Sequence, residues 1–180
     1  MKKVKIQLID GMMPTKGSEY AAAYDIYVPK DTPLTYGRQV IPAGFCMELP
    51  IRWSADIRPR SGFSCKGMEV LVKTKYTDGM TEPFIAEEKV RIDADVLLGL
   101  IDCDYFDEVG VIIVCRQPIV FAKRAEYSSY TVMGNEYVLT MGTRIAQMKI
   151  DSWGEDYELE EVKEIDKTID RGGGFGHSGA

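Results

Sequence analysis

The sequence predicts an all-β fold of the sandwich or barrel class, on three observations. Short apolar runs alternate with polar residues at period two. Glycine- and proline-bearing turn signals recur between those runs from end to end, and the strongest apolar run is β-branched. The 180 residues are 45% hydrophobic and 28% charged, enough for one domain with its own core and without a disulfide or metal staple.

Taken in order, Val4-Lys5-Ile6-Gln7-Leu8 alternates as a half-buried strand does. Cys46 to Trp53 places Met47, Leu49, Ile51 and Trp53 on one face and Glu48, Pro50 and Arg52 on the other, which predicts one continuous strand. Val111-Ile112-Ile113-Val114-Cys115 has no polar member and predicts a strand buried on both faces. Ile145 to Ile150 is a further short strand. Turns are marked by Pro42-Ala43-Gly44, Pro59-Arg60-Ser61-Gly62, Thr77-Asp78-Gly79 and Gly172-Gly173-Gly174. One segment departs from the pattern: Tyr157 to Ile169 carries Leu159, Val162, Ile165 and Ile169 at helical spacing and predicts an amphipathic helix. Leu159-Glu160-Glu161-Val162 within it also fits an edge strand.

Charge and cysteine usage exclude several function classes. The 22 Lys+Arg against 28 Asp+Glu leave a net charge of −6, wrong for a protein that coats duplex nucleic acid but compatible with one locally basic pocket. Cys46, Cys65, Cys103 and Cys115 form no Cys-x-x-Cys pair, and His177 is the single histidine, which excludes a zinc site of the usual spacing. Met1 to Ile6 is basic without the apolar stretch of a signal peptide, and Val109 to Cys115 is too short to cross a bilayer. The expectation is a cytoplasmic protein with free thiols that binds neither nucleic acid nor membrane.

Four clusters could carry chemistry. In Arg58-Pro59-Arg60-Ser61-Gly62, a guanidinium fork and a hydroxyl sit beside backbone N–H groups, with Gly62 permitting a tight turn: the parts of an anion cradle, or an ordinary turn. In Gly99-Leu100-Ile101-Asp102-Cys103-Asp104-Tyr105, one aspartate next to an apolar run could sit in a low-dielectric pocket and orient a water, or simply belong to a polar turn. In Gly142-Thr143-Arg144-Ile145-Ala146-Gln147, Arg144 and Gln147 are the polar members of a strand-like stretch, open also to a solvated-face reading. The tail, Arg171-Gly172-Gly173-Gly174-Phe175-Gly176-His177-Ser178-Gly179, has the composition of a disordered end. Its lone Phe175 could instead stack on a base while Arg171 and the glycine N–H groups meet phosphate.

Together, and in this order, the clusters resemble the homotrimeric deoxyuridine triphosphatase (dUTPase) family and its five ordered motifs. Ala23-Tyr24-Asp25-Ile26-Tyr27 is similar to the first, with alanine where glycine is usual before the aromatic. Pro59 to Gly62, Gly99 to Tyr105, Gly142 to Gln147 and Gly173 to Gly179 are similar to the second to fifth. The resemblance implies a distorted β jelly roll (a dUTPase-like β-clip) in a homotrimer, with active sites at subunit interfaces and a C-terminal tail reaching a neighbouring subunit. It replaces the helix with a strand over Tyr157 to Ile165, and implies a β domain over residues 1–166 followed by a glycine-rich tail over 167–180.

The implied activity is Mg²⁺-dependent hydrolysis of dUTP to dUMP and pyrophosphate. Asp102 is then the catalytic carboxylate, orienting the water that attacks the α-phosphate and contacting the sugar 3′-hydroxyl. Tyr105 packs on the deoxyribose, and backbone groups around Leu98 and Gly99 pair with the uracil edge. Arg60, Ser61 and Gly62 serve the phosphates, with Gln147 near the α-phosphate or the water. Asp25 supports the site through Arg144 or a metal-bound water, and Arg171, Phe175 and Ser178 close over the nucleotide from the tail. No residue is implied as a direct metal ligand, the ion being held by the triphosphate and water.

Three departures from the family pattern stand out. The tail usually reads Thr-x-Arg-Gly-x-Gly-Gly-Phe, whereas Asp170 occupies the arginine place and Arg171 the next. Either the loop shifts by one residue so that Arg171 reaches the γ-phosphate, or a carboxylate weakens that contact. The stretch from Ser61 to Asp102 is long, with extra material expected as a surface hairpin over 76–91. Residues 121–137 also look expanded. Two alternatives accompany the main reading. A dCTP deaminase-type enzyme would need a glutamate base, for which Glu108 is the nearest candidate; a nucleotide-sensing or partner-binding protein would keep the fold and lose turnover.

Overall fold

The computed structural model describes residues 3–116 and 129–153. Its first half runs β1 (Lys5–Leu8), β2 (Thr15–Lys16), β3 (Tyr24–Tyr27), β4 (Thr32–Pro33), β5 (Gly37–Pro42), β6 (Phe45–Glu48) and β7 (Trp53–Arg58). A short helix α1 (Ser61–Lys66) follows, then β8 (Met68–Thr77), β9 (Phe84–Ile92), β10 (Ala94–Val96), β11 (Gly99–Ile101), β12 (Gly110–Cys115), β13 (Thr131–Leu139) and β14 (Arg144–Ser152). The expected all-β class is what forms.

The strands make antiparallel sheets ordered β1-β6, β10-β12-β5, β11-β7-β14-β3-β2 and β4-β13-β8-β9. Several neighbours are far apart in sequence, such as β3 with β14 and β5 with β12, as expected where strands close over one another in a jelly roll. The interior is filled from all of them: Ile26, Phe45, Ile57, Met68, Ile113, Leu139, Ile145 and Met148 are all but inaccessible. Alternation is the reason. Along β8, Met68, Val70, Val72, Thr74 and Tyr76 turn inward while Glu69 and Lys75 face out.

Residues 76–91 are the tip and return strand of the β8–β9 hairpin, as the sequence predicts. Asp78 closes its turn by accepting the N–H groups of Met80 and Thr81 at 2.9 and 2.8 Å. Those bonds hold its carboxyl below the ordinary aspartate range, so this closure is present above the usual carboxylate pKa and is lost only as acid protonates it. Of the expected expansion over 121–137, the part from Thr131 joins β13, which pairs with β8 through a bulge between Val132 and Gly134. The helix or strand expected at 157–169, and the tail, lie outside the described residues.

Two strand expectations are corrected. Cys46–Trp53 is not one strand. The chain turns after Leu49, with Arg52 at φ 67° and the Trp53 N–H bonded to the Pro50 carbonyl at 3.0 Å, which leaves Ile51 exposed. The proline breaks the ladder the alternation suggested. Val111–Cys115 is buried on one face only: Val111, Ile113 and Cys115 are inside, but Ile112 and Val114 are half-buried. Ile112 pairs with Val40, which is 61% exposed, so this chain alone covers only one side of the β10-β12-β5 sheet.

Gly44 and Gly62 give opposite predictions. Gly44 has φ +75°, and a Cβ there would overlap the Cα and N of Gly11. Gly44→Ala should cost at least about 2 kcal/mol in denaturant unfolding. Gly62 lies within α1 with open space around it, so Gly62→Ala should be neutral or stabilising by up to about 1 kcal/mol in the same assay.

Candidate active site

The central five-stranded sheet aligns polar residues that are far apart in sequence. Gln147 of β14 sits opposite Asp25 of β3 on one side and Arg58 of β7 on the other, and Thr15 of β2 lies opposite Asp25. Directly opposed residues share a face, so these side chains form a row across four strands. Beyond the end of β7, Pro59 leads into Arg60, which returns over that row.

Asp25 is the centre of this cluster. It is 3% exposed, and its Oδ1 accepts the Arg60 Nε–H at 3.1 Å while Oδ2 accepts from Arg144 Nη1 at 3.3 Å. Gln147 Nε2 donates to Oδ1 at 3.4 Å, and Arg60 Nη1 also donates to the Arg144 carbonyl at 3.4 Å. A buried carboxylate without such partners would cost several kcal/mol, so the arginines are held where its charge requires them. Gly17 stands close enough for an added Cβ to meet Asp25 Oδ2 at 3.7 Å, and so belongs to the cover over the carboxylate.

Arg60 has a second consequence. It occupies the N-cap of α1 without making a side-chain cap, because a guanidinium has no acceptor to offer an N–H; it donates to Asp25 and lies 6.0 Å over the Phe63 ring. The caps that usually satisfy first-turn N–H groups are Ser, Thr, Asp or Asn. The Phe63 and Ser64 N–H groups bond to the Arg60 carbonyl at 2.9 and 3.1 Å, so an arginine there leaves the N–H groups of Ser61 and Gly62, beside the exposed Ser61 hydroxyl, without a side-chain cap and able to meet an anion. The expected tight turn at Gly62 is corrected: Gly62 is helical, in the first turn of α1.

The other expected residues lie on the segment that follows β10. Gly99 pairs with Ile57 and Ile101 with Ala55, so Leu98 and Gly99 lie beside the end of β7 that carries Arg58. β11 is the edge strand of its sheet, and half its backbone groups therefore face away from β7. Asp102 comes after β11 has run the other way, on the order of 10 Å from the Arg60 end at about 3.3 Å per residue. Of the two readings of Asp102, a single chain shows the polar turn. Asp102 is exposed in this chain, and the buried carboxylate is Asp25.

After Asp102 the chain turns, with the Tyr105 N–H bonded to the Asp102 carbonyl at 3.1 Å and Tyr105 Oη donating to the Glu108 carbonyl at 3.0 Å. The Glu108 carboxylate accepts the Gly44 N–H at 2.9 Å, which commits the residue a deaminase-type reaction would need as base. The structure thus brings Asp25, Arg60, Arg144 and Gln147 together, with Ser61 and Gly62 adjoining, and sets Asp102 and Tyr105 apart from them. Arg171, Phe175 and Ser178 lie outside the described residues. Gly17 and Phe63 were not anticipated, since neither belongs to a polar cluster in sequence. No group of three or more His, Cys, Asp or Glu that could hold a metal occurs among the described residues, and none of their helices is long and apolar enough to cross a membrane.

What fold and cluster define is a jelly-roll-like β protein that presents guanidinium and backbone N–H groups at one end of its central sheet. The dUTPase family model matches residues 10–92. A deoxyuridine 5′-triphosphate nucleotidohydrolase from Syntrophotalea carbinolica is 29% identical over 181 residues, covering 98% of this chain and 95% of the relative. A Staphylococcus bacteriophage 80alpha dUTPase, solved with dUPNHPP, is similar in structure at TM-score 0.63 and 21% identity, covering all of both chains. A variant dUTPase of phage phi11 of S. aureus, described with a structural Mg(II) ion, has TM-score 0.60 and 18% identity over 91% of this chain and 98% of its own. In sequence and in fold, then, the chain is similar to dUTPases.

The clamp makes a direct prediction. Asp25→Asn keeps the shape and removes the charge that opposes two guanidinium groups. It should cost about 1–2 kcal/mol in chemical unfolding and broaden or shift the Arg60 Nε resonance in ¹⁵N NMR, while Asp56→Asn, at an exposed pair, should leave that resonance in place.

Proposed function

We propose that this protein hydrolyses dUTP to dUMP and pyrophosphate. The observation that carries the reading is Arg60, held by buried Asp25 at the open first turn of α1, in a chain whose relatives are named deoxyuridine 5′-triphosphate nucleotidohydrolase. Arg60, Ser61 and the first N–H groups of α1 bind phosphate oxygens, and Gln147 stands in the same row to meet the α-phosphate or the attacking water. The outward backbone of β11 at Leu98 and Gly99 pairs with the uracil edge. Tyr105 packs flat on the deoxyribose.

Asp102 orients a water whose oxygen attacks the α-phosphorus, the bond to the α–β bridging oxygen breaks, and pyrophosphate leaves. The protein contributes position and charge rather than a covalent intermediate. Mg²⁺ neutralises charge on the triphosphate when bound. The donor set fits an ion held by triphosphate oxygens and water, because both Asp25 oxygens are taken by Arg60, Arg144 and Gln147.

The separation of Asp102 from Arg60 within one chain supports assembly as a homotrimer, in which the Asp102 turn of one subunit faces the Arg60 cluster of another. The half-covered Val40–Ile112 face supports it too. Arg171, Phe175 and Ser178 come from the tail of a neighbour. Residues 1–166 form the β domain, residues 167–180 the tail, and the hairpin over 76–91 is an insertion.

Pyrophosphate release from dUTP with magnesium tests the activity. Asp102→Asn should lower kcat at least about 10²-fold, and a chelator should stop turnover. Unchanged release from the Asp102→Asn protein would remove the role assigned to that carboxylate. Tight dUTP binding without release would favour the nucleotide-sensing alternative.

A further inference from the structure

We propose that Glu108 is a positioning residue for substrate selection: by gripping Gly44 it fixes Tyr105, and so sets how strictly the site rejects ribose. The proposal rests on the reading of Tyr105 as the surface under the deoxyribose. A yielding apolar pocket rejects an added hydroxyl only weakly, by about a hundredfold. Stronger rejection needs a wall that does not move, and Tyr105 stands on an exposed turn in which residues 104–107 are all solvent-facing. Such a turn does not stiffen itself.

The stiffness comes from elsewhere in the chain. Tyr105 Oη donates to the Glu108 carbonyl at 3.0 Å, so the ring follows Glu108. The Glu108 carboxylate reaches across 64 residues of sequence to accept the Gly44 N–H at 2.9 Å. Gly44 is an unusually rigid anchor, because its carbonyl accepts from Ile9, Asp10 and Gly11 at 2.8, 3.3 and 3.0 Å, and its backbone lies against Gly11. The flanking ladder continues on both sides, with Ala43 N–H donating to the Val109 carbonyl at 2.8 Å and Val109 N–H to the Phe45 carbonyl at 2.9 Å. Glu108 therefore adds a side-chain link between the buried β5–β6 corner and the turn that carries Tyr105 and Asp102, beside the backbone bonds of Val109.

The test compares kcat/KM for dUTP and UTP in the full-length protein and in Glu108→Ala, Glu108→Gln and Tyr105→Phe, each checked for folding by thermal melting. Glu108→Ala should lower the dUTP-to-UTP ratio about tenfold, the scale of one lost hydrogen bond. Glu108→Gln, whose amide oxygen still accepts the Gly44 N–H, should keep the wild-type ratio, and Tyr105→Phe should fall between. If Glu108→Ala does not fold, Glu108→Asp replaces it, since the shorter carboxylate keeps the charge but cannot span to Gly44. A ratio unchanged in Glu108→Ala, or dUTP and UTP turnover falling in equal proportion, overturns the proposal while leaving the dUTPase reading intact. A wild-type protein that does not prefer dUTP to UTP overturns the role of Tyr105 beneath it.

Discussion

The burial of one carboxylate organises the working end of this protein. Asp25 lies in the central sheet where water cannot reach it, and its charge is tolerable only with donors on both oxygens. Those donors are Arg60, from the segment after β7, and Arg144 and Gln147, from β14. The need to satisfy Asp25 therefore ties three stretches of chain together. It also holds Arg60, whose side chain has no acceptor with which to cap α1, at the helix start beside Ser61. A residue that contacts no phosphate in the proposed reaction thus decides where the phosphate-binding groups stand.

Antiparallel pairing imposes the second constraint. β7 runs toward the Arg60 cluster, and β11, its partner, must run away from it. The residues at the start of β11 share an end with the cluster, while Asp102, just past its finish, cannot. One chain therefore holds the Arg60 cluster and the Asp102 turn at places that do not meet. The homotrimer proposed above resolves this by bringing the two together between copies, which also accounts for the incompletely covered sheet around Val40 and Ile112.

Legibility in the sequence followed the range of the forces involved. Short apolar stretches located β1, β12 and β14, although which faces they bury was not legible, and the Thr77-Asp78-Gly79 signal located the hairpin tip because turn chemistry is local. Alternation overran at Pro50, where a missing donor ended a ladder that hydropathy continued. In the site, the polar residues were recognisable as candidates, and their order along the chain resembled one family. Which carboxylate was buried was not recognisable. Asp102 stands beside an apolar run yet is exposed, while Asp25 stands between Tyr24 and Ile26 in β3 and is buried.

The sequence by itself determined the all-β class, the hairpin turn at Thr77-Asp78-Gly79 and the inventory of groups able to meet a triphosphate, since each depends on residue type and near neighbours. The tertiary structure alone decided that Asp25 faces Arg60, Arg144 and Gln147, that Gly62 is helical, and that Glu108 reaches Gly44. Those pairings join residues between 35 and 122 positions apart for Asp25, and 64 apart for Glu108, and strand register sets them. Register depends on how whole strands bury their faces together, a property of the assembled core that no short window of residues contains.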